Sequence, residues 1–188
     1  MTAQVHSQIQ IPTGKTVWLT GLSGAGKSTL ASRLTDRLRG QGQPAEWLDG
    51  DELRRNLGRG LGFSREDRFE NIRRAVYLAG MLNRHGVTAV VSLISPYADM
   101  RDYARRELPG FVEVYVDCPL PVCEQRDVKG LYAKARRGEI PEFTGISDPY
   151  EIPANPELTL RTAERTPEEC VEELAAWLTG NRLDPLRA

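Results

Sequence analysis

Short apolar runs alternate with segments of helical periodicity along this chain. Residues 16–20, 45–48, 87–94, 111–116 and 157–160 are enriched in β-branched, aromatic or other apolar residues and predict five strands. The run at 87–94 is the most continuous, as expected of a strand buried on both faces of a parallel sheet. Strands that alternate with helices predict an α/β fold, with a doubly wound parallel sheet of about five strands and helices on both faces.

The helices are predicted from apolar spacing and from residues typical of helix ends. Leu30, Leu34 and Leu38 lie four residues apart, and Gly40 follows where a helix commonly ends. The other predicted helices cover residues 64–86, residues 99–108, a segment from about 120, and a segment that starts at a capping box in 166–169.

The composition excludes several classes of protein. The 188 residues suit one domain, predicted at 15–188, and the polar residues 1–14 are expected to form a flexible arm. The chain has 25 Lys and Arg against 26 Asp and Glu, so its net charge of −1 argues against a broadly basic nucleic-acid binder. The longest nearly apolar run, 87–94, is far shorter than the roughly 20 residues of a membrane-spanning helix.

The N-terminus and the cysteines indicate the compartment. The first residues have neither a basic region nor an apolar core typical of a secretory signal. The three cysteines are odd in number and form no CxxC pair. We therefore expect a cytoplasmic protein with reduced thiols.

The segment between the first strand and the first helix matches the phosphate-binding pattern G-x-x-x-x-G-K-[ST]. Its glycines let the loop turn with backbone N–H groups inward, and the positive end of the following helix adds to this anion site. Lys27 is expected to reach the β- and γ-phosphates of ATP, and Ser28 to be a ligand of Mg²⁺. The predicted ATP-binding residues are Gly21, Leu22, Ser23, Gly24, Ala25, Gly26, Lys27, Ser28 and Thr29.

This motif indicates nucleotide binding but does not identify the group that accepts the phosphate. The chain has no Asn-Lys-x-Asp motif for reading guanine, and it is short for a motor or a large ATPase. A small-molecule kinase is therefore the leading class.

Two carboxylates follow the second predicted strand, where doubly wound sheets place their ligands. Asp49 and Asp51 flank Gly50, and residues two apart on an extended segment face the same way. One could organise Mg²⁺ and its waters while the other accepts a proton from an attacking hydroxyl. An acidic surface turn is the alternative interpretation.

The predicted helix at 64–86 carries an unusual density of arginines at its start. The first turn of a helix normally favours acidic residues. Some of these arginines could bind an anionic ligand, or they could form ion pairs with Glu66, Asp67 and Glu70.

Taken together, these motifs resemble those of the adenylylsulfate kinase (APS kinase) family. The matching stretches are GLSGAGKST at 21–29, DGD at 49–51, GFSREDRFENIRR at 62–74, SLISPY at 92–97, DVKGLYAKARRGEI at 127–140, FTGISDPYE at 143–151 and NPEL at 155–158. The resemblance covers about residues 15–178. It implies a P-loop kinase architecture, and transfer of the γ-phosphate of ATP to the 3′-hydroxyl of adenosine 5′-phosphosulfate (adenylylsulfate).

The resemblance also implies which residues bind the acceptor. Arginines and an asparagine would hold its phosphosulfate and ribose, and two phenylalanines would sandwich its adenine. The implied set is Asp51, Arg54, Phe63, Arg68, Asn71, Ile94, Lys129 and Phe143.

Three residues are implied in catalysis. Lys27 would stabilise the migrating phosphoryl group, and Asp51 would lie near the 3′-hydroxyl as the candidate base. Ser95 matches a serine that the family traditionally treats as a phosphoserine intermediate. Direct in-line transfer needs only positioning and charge stabilisation, so a structural serine before Pro96 is the alternative.

The charged, glycine-containing segment at about 126–147 would be a mobile lid that excludes water from the reaction. It lacks a strong apolar face, and a solvated charged loop is the competing interpretation. Arg126 and Arg137 would meet phosphate charge or stack on the donor adenine. The chain departs from the family pattern at Ala98 and at Arg161, where Arg and Asp are common.

The expected ligands are ATP, Mg²⁺ and adenylylsulfate, without nucleic acid or membrane. The family resemblance implies a homodimer and leaves open an association with ATP sulfurylase. Two other functions stay open: a P-loop kinase for another small hydroxylated acceptor, and a catalytically silent nucleotide-binding subunit. In the leading interpretation, Lys27, Arg54, Arg68, Arg126 and Lys129 form a basic pocket that the neutral total conceals.

Overall fold

Five parallel strands form one sheet in the computed structural model, which describes residues 14–180. The strands are β1 (Thr16–Thr20), β2 (Ala45–Asp49), β3 (Thr88–Ser92), β4 (Phe111–Asp117) and β5 (Leu158–Arg161), in the order β2-β3-β1-β4-β5. The helices of the described range are α1 (Lys27–Gly40), α2 (Gly50–Asn56), α3 (Arg65–Arg84), α4 (Ala98–Glu107), α5 (Leu120–Arg126), α6 (Leu131–Arg136) and α7 (Pro167–Leu178). The predicted doubly wound α/β fold is confirmed.

Two parts of the predicted domain plan fall outside this range. The expected flexible arm at 1–14 lies outside the described residues except for Gly14, as does the chain after residue 180. Between residues 14 and 180, no helix is both long enough and apolar enough to cross a membrane. The three cysteines are free and buried, in agreement with the prediction of reduced thiols.

The central strand β1 sends its side chains into two apolar layers. Val17 and Leu19 are fully buried with residues of α1 and α7, such as Leu30. Trp18 is fully buried on the opposite face, with residues of α3 and α4 such as Met100. Helices therefore cover both faces, and the loops after β1, β2 and β3 leave the sheet at the same edge, where such folds bind ligands.

The short helix α2 contradicts one prediction. Asp49 and Asp51 were expected to face the same way on an extended segment, but β2 ends at Asp49 and α2 begins at Gly50. The carboxylate of Asp49 accepts hydrogen bonds from the backbone N–H groups of Asp51 (3.0 Å) and Glu52 (3.2 Å), which caps the helix. Asp49 therefore ends β2 and also caps α2, and the extended conformation expected from Asp49 to Asp51 was wrong.

The predicted lid segment also differs from expectation. Its sequence suggested no strong apolar face, yet Tyr132 and Ala135 of α6 are buried in the core beside Phe143. The three residues are dispersed among charged positions, which hides the apolar face in the sequence.

A buried ion pair fixes α4 to the sheet. The guanidinium of Arg101 lies 2.9 Å from the carboxylate of Glu113 on β4, and the two side chains are 4% and 8% exposed. Arg101 also donates hydrogen bonds to the carbonyl oxygens of Ser95 and Glu151, both at 2.7 Å. One buried cation therefore connects α4, β4 and two loops.

We predict that Arg101→Met lowers the free energy of unfolding by about 3–5 kcal/mol, because it removes the buried member of the two arginines that pair with the buried carboxylate of Glu113, and the half-exposed Arg105 remains. Urea unfolding followed by circular dichroism measures this change. Arg33→Ala is the control, since Arg33 pairs with Glu168 on the surface with both side chains largely exposed. Its effect should stay within about 1 kcal/mol. If the two substitutions lower the free energy of unfolding equally, the buried ion pair stabilises the fold no more than a surface pair does.

Candidate active site

A cleft of about 700 Å³ opens at the edge of the sheet where β1, β2 and β3 end. The five cations predicted to form a basic pocket all line it, and so do Asp49 and Asp51. The cleft brings together the following predicted site residues: Ser23, Gly24, Gly26, Lys27, Ser28, Thr29, Asp51, Arg54, Phe63, Arg68, Asn71, Ile94, Ser95, Arg126, Lys129 and Phe143. Three predicted loop residues do not line this cleft. Gly21 and Ala25 are buried within the protein, and Leu22 lines a second, more open cleft.

Side chains donate hydrogen bonds to the carbonyl oxygens of the phosphate loop. The ammonium of Lys27 donates to the carbonyl oxygens of Gly21 (2.9 Å) and Leu22 (2.7 Å). The hydroxyl of Tyr132 donates to that of Ser23 (2.9 Å). Because a peptide unit is planar and trans, a carbonyl held on one side directs the N–H of the same unit to the other side.

Two further donors continue this pattern at the end of the loop. Arg126 donates to the carbonyl oxygen of Gly24 (3.4 Å), and the hydroxyl of Thr162 donates to that of Ala25 (2.7 Å). Arg126 is in turn held by the carbonyl oxygen of Thr162 (2.7 Å). Gly26 has a φ of 101°, in the left-handed region that favours glycine. Each carbonyl oxygen from Gly21 to Ala25 thus accepts a hydrogen bond from a side chain.

Lys27 is both buried and charged at neutral pH. Its burial lowers the pKa to about 8, although Cys123, Asp51 and Asp49 act in the opposite direction. An anion that enters the cleft would favour the protonated form, because it supplies the opposite charge that the surroundings only partly provide. We therefore expect bound phosphate to raise the pKa of Lys27.

Asp49 connects the phosphate loop to two strands. One of its oxygens accepts hydrogen bonds from the hydroxyls of Ser28 (3.0 Å) and Ser92 (3.2 Å), and the other caps α2. Ser92 is also the acceptor for the indole N–H of Trp47 (2.9 Å). These contacts fix the carboxylate of Asp49 beside the first residues of α1.

Asp51 occupies a different environment at the mouth of the cleft. Its side chain is 56% exposed and forms an ion pair with Lys129, which belongs to the predicted lid. This pair joins α2 to the lid segment across the opening. The two aspartates thus differ in role: Asp49 is held by the scaffold, and Asp51 is accessible to a ligand.

Arg68 joins the two backbone segments that carry Phe63 and Phe143, the phenylalanines predicted to hold an adenine. Its guanidinium donates to the carbonyl oxygens of Phe63 (2.8 Å) and Glu142 (2.5 Å), and Glu142 precedes Phe143. Phe63 is 48% exposed, and the guanidinium of Arg54 lies 4.7 Å from the centre of its ring. Burial, and then the nearby Arg68, lower the pKa of Arg54 from its ordinary value.

The arginines at the start of α3 divide between surface ion pairs and the cleft. Arg74 pairs with Glu70, as one alternative expected, whereas Arg65 pairs with Asp99 of α4. Among the described arginines of this segment, Arg68 is the one that lines the cleft.

Two more polar side chains line the cleft. Asn71 is buried, and its side-chain oxygen has no hydrogen-bond partner within residues 14–180. Ser95 is 2% exposed, and its hydroxyl accepts a hydrogen bond from the indole N–H of Trp18 (3.0 Å). Its φ of 46° is unusual for a residue other than glycine.

Sequence reasoning did not identify Tyr132, Thr162 or Trp18 as residues of this site. Trp18 was predicted only as part of a buried strand, and Tyr132 only as part of the charged lid segment; both are core residues whose polar atoms contact the loops. Thr162 directly follows Arg161, and the sequence indicates no role for it. No spacing rule would have revealed these three donors, because each acts from a distant part of the chain.

Comparison with known proteins identifies the family of this chain. A profile described as adenylylsulphate kinase matches residues 13–161. The adenylyl-sulfate kinase of Gloeothece citriformis is 57% identical over 161 residues, which cover 86% of this chain and 92% of that protein. The adenylyl-sulfate kinase of Deinococcus deserti is 53% identical over 174 residues, which cover 93% and 96%.

A solved structure extends the agreement to three dimensions. The APS kinase CysC of Mycobacterium tuberculosis, in complex with AMPPNP and APS, superposes with a TM-score of 0.86 and 47% identity. The superposition covers 89% of this chain and 99% of that one. Similarity of this extent, in a chain whose phosphate-loop motif and arginines line one cleft, shows that the protein belongs to the adenylylsulfate kinase family.

Proposed function

We propose that this protein transfers the γ-phosphoryl group of ATP to the 3′-hydroxyl of adenylylsulfate, which gives 3′-phosphoadenylylsulfate and ADP. Family membership supports the reaction. The observation that carries it is a single cleft with an intact phosphate loop at one end and Arg54, Arg68 and two phenylalanines at the other. Such a cleft suits two anionic adenine nucleotides whose reacting groups must meet in its middle.

The donor is proposed to bind with its phosphates on the loop. The inward N–H groups and the positive end of α1 attract phosphate oxygens, and Lys27 balances the charge that shifts toward the leaving ADP. Arg126, held at the carbonyl oxygen of Thr162, is proposed to contact the donor adenine or its phosphates. Arg161, one of the departures from the family pattern, ends β5 immediately before Thr162 and is exposed, so we expect it to modify only the surroundings of the donor base.

The acceptor is proposed to bind at the end of the cleft that holds Arg68. Phe63 and Phe143 offer flat apolar surfaces for its adenine, and Arg54 offers charge to its phosphosulfate. The unpartnered side-chain oxygen of Asn71 suits a hydroxyl or amine donor on the ligand. Ala98 starts α4 and lies outside the cleft lining, so the departure there leaves these contacts intact.

Asp51 is the proposed base. It is exposed at the mouth of the cleft and is free to exchange Lys129 for a ligand hydroxyl. A carboxylate within hydrogen-bond reach of the 3′-hydroxyl would accept its proton as the phosphoryl group transfers.

The oxygen atoms beside the loop fit Mg²⁺. The hydroxyl of Ser28 and the carboxylate of Asp49 lie within 3.0 Å of each other. Hydroxyl, carboxylate and phosphate oxygens are the ligands that Mg²⁺ prefers, and it usually takes only one or two from protein. We propose Ser28 as the ligand and Asp49 as the group that orders the surrounding waters; bound Mg²⁺ would neutralise charge on the β- and γ-phosphates.

Assembly and location are inferred from the family alone. We propose a homodimer in the cytoplasm. We also propose an association with ATP sulfurylase, the enzyme whose reaction supplies the acceptor. A kinase for another acceptor and a silent nucleotide-binding subunit are both disfavoured, because the family match extends over both ends of the cleft.

The acceptor preference is tested by ADP release in a coupled assay with adenylylsulfate, shikimate, gluconate and nucleosides. We expect turnover only with adenylylsulfate, because the other compounds lack either the adenine or the anionic group that the acceptor end is suited to bind. Phosphoryl transfer at a comparable rate to any other acceptor would refute the assignment.

Asp51→Asn should lower kcat about 10²–10⁴-fold while the Kd for ATP stays near that of the wild type, because the amide cannot accept the proton. Rapid-quench turnover and equilibrium dialysis measure the two quantities. Lys129→Met removes the partner of Asp51 and serves as the comparison; it should raise the KM for adenylylsulfate more than it lowers kcat. Loss of ATP binding in Asp51→Asn would instead assign the residue to metal binding or to structure.

Ser95→Ala should keep kcat within about tenfold of the wild type, since direct transfer needs no covalent intermediate. It should cost about 1–3 kcal/mol in unfolding free energy, because the indole N–H of Trp18 loses its acceptor. Intact-protein mass spectrometry after incubation with ATP is the complementary measurement. A phosphorylated wild-type enzyme together with an inactive alanine variant would establish Ser95 as a covalent intermediate.

A further inference from the structure

Tyr132 contacts both the phosphate loop and Phe143. It is the second residue of α6, is 2% exposed, and lines the cleft. The carboxylate of Asp127 accepts hydrogen bonds from the backbone N–H groups of Tyr132 and Ala133, both at 3.1 Å, which fixes the start of α6. The position of the tyrosine ring is therefore determined by the backbone as well as by packing.

One end of Tyr132 acts on the phosphate loop. Its hydroxyl donates to the carbonyl oxygen of Ser23 at 2.9 Å. That carbonyl shares its peptide unit with the N–H of Gly24, which points to the opposite side, toward the space for phosphate. Burial raises the pKa of the phenol well above its ordinary value, so the hydroxyl remains a donor across the working pH range.

The other end of Tyr132 acts on the acceptor wall. Its ring packs edge-to-face on Phe143, with ring centres 5.1 Å apart and planes at 78°. Phe143 is buried and is one of the two rings proposed to hold the acceptor adenine. A change in the position of the tyrosine ring therefore changes the surface that the acceptor meets.

We propose that Tyr132 is a positioning residue that couples donor binding to acceptor binding, an inference that rests on the proposed function. A phosphate that accepts from the N–H of Gly24 polarises the shared peptide unit and strengthens the hydrogen bond from Tyr132 to Ser23. A firmer bond holds the ring against Phe143 and preorganises the acceptor wall. By linkage, the acceptor must strengthen donor binding by the same factor.

The test measures the Kd of ADP by isothermal titration calorimetry with and without saturating adenylylsulfate. ADP has no γ-phosphate to transfer, so both ligands stay unreacted and the ratio of the two values is the coupling factor. Tyr132→Phe removes the hydroxyl and keeps the ring. Tyr97→Phe is the matched control, because the hydroxyl of Tyr97 donates a comparable hydrogen bond to Asp148 (2.7 Å) away from the phosphate loop.

We expect a coupling factor of about five or more in the wild type and in Tyr97→Phe, and a factor near one in Tyr132→Phe. The Kd for each ligand alone should change by less than about threefold in Tyr132→Phe, since neither ligand loses a direct contact. An unchanged coupling factor in Tyr132→Phe, or an equal loss in Tyr97→Phe, would overturn the inference. So would a wild type that binds both ligands without coupling.

The same titrations separate this inference from the proposed function. If the wild type binds adenylylsulfate and Tyr132→Phe retains full coupling, the function stands and the coupling role fails. If the wild type does not bind adenylylsulfate at all, both are refuted.

Discussion

The site depends on one constraint on the phosphate loop, residues 21–26. The loop must direct backbone N–H groups toward the phosphates while its carbonyl oxygens keep hydrogen-bond donors on the other side. Peptide groups buried without partners are costly, so the outward carbonyl oxygens need donors. Lys27, Tyr132, Arg126 and Thr162 supply them. Three of these four donors come from beyond residue 125, so the loop acquires its shape only when distant segments have packed against it.

This arrangement explains why the basic cleft is stable in a chain of nearly neutral charge. Each cation of the cleft already has a protein partner: Lys27 and Arg68 bind carbonyl oxygens, and Lys129 binds Asp51. Carbonyl partners compensate for desolvation without cancelling the charge. The positive potential thus remains available to polyanions, and mutual repulsion among the cations is tolerated because the backbone holds them in place.

The fold was largely predictable from sequence, and the details of the site were not. The continuous apolar strands and the phosphate loop are local signals, so their positions agree with the structure to within one or two residues. The helix α2 was missed because an aspartate at the end of a strand does not show in the sequence whether the chain continues extended or turns into a helix, and only the contacts of its carboxylate show the turn. Tyr132 was missed for a different reason: its ring lies among charged positions that hide its burial, and its hydroxyl contacts a loop more than a hundred positions away.

The triple use of Asp49 has a consequence for how this position can evolve. The residue must accept from a helix start, from Ser28 and from Ser92 at once. Asparagine would preserve the cap but remove the negative charge beside the phosphates, and glutamate would move the charge by one methylene and weaken the cap. No single substitution satisfies all of these partners, so we expect Asp49 to tolerate no replacement without loss. Because Asp49 also caps α2, the same contacts fix the start of the short helix that carries Asp51.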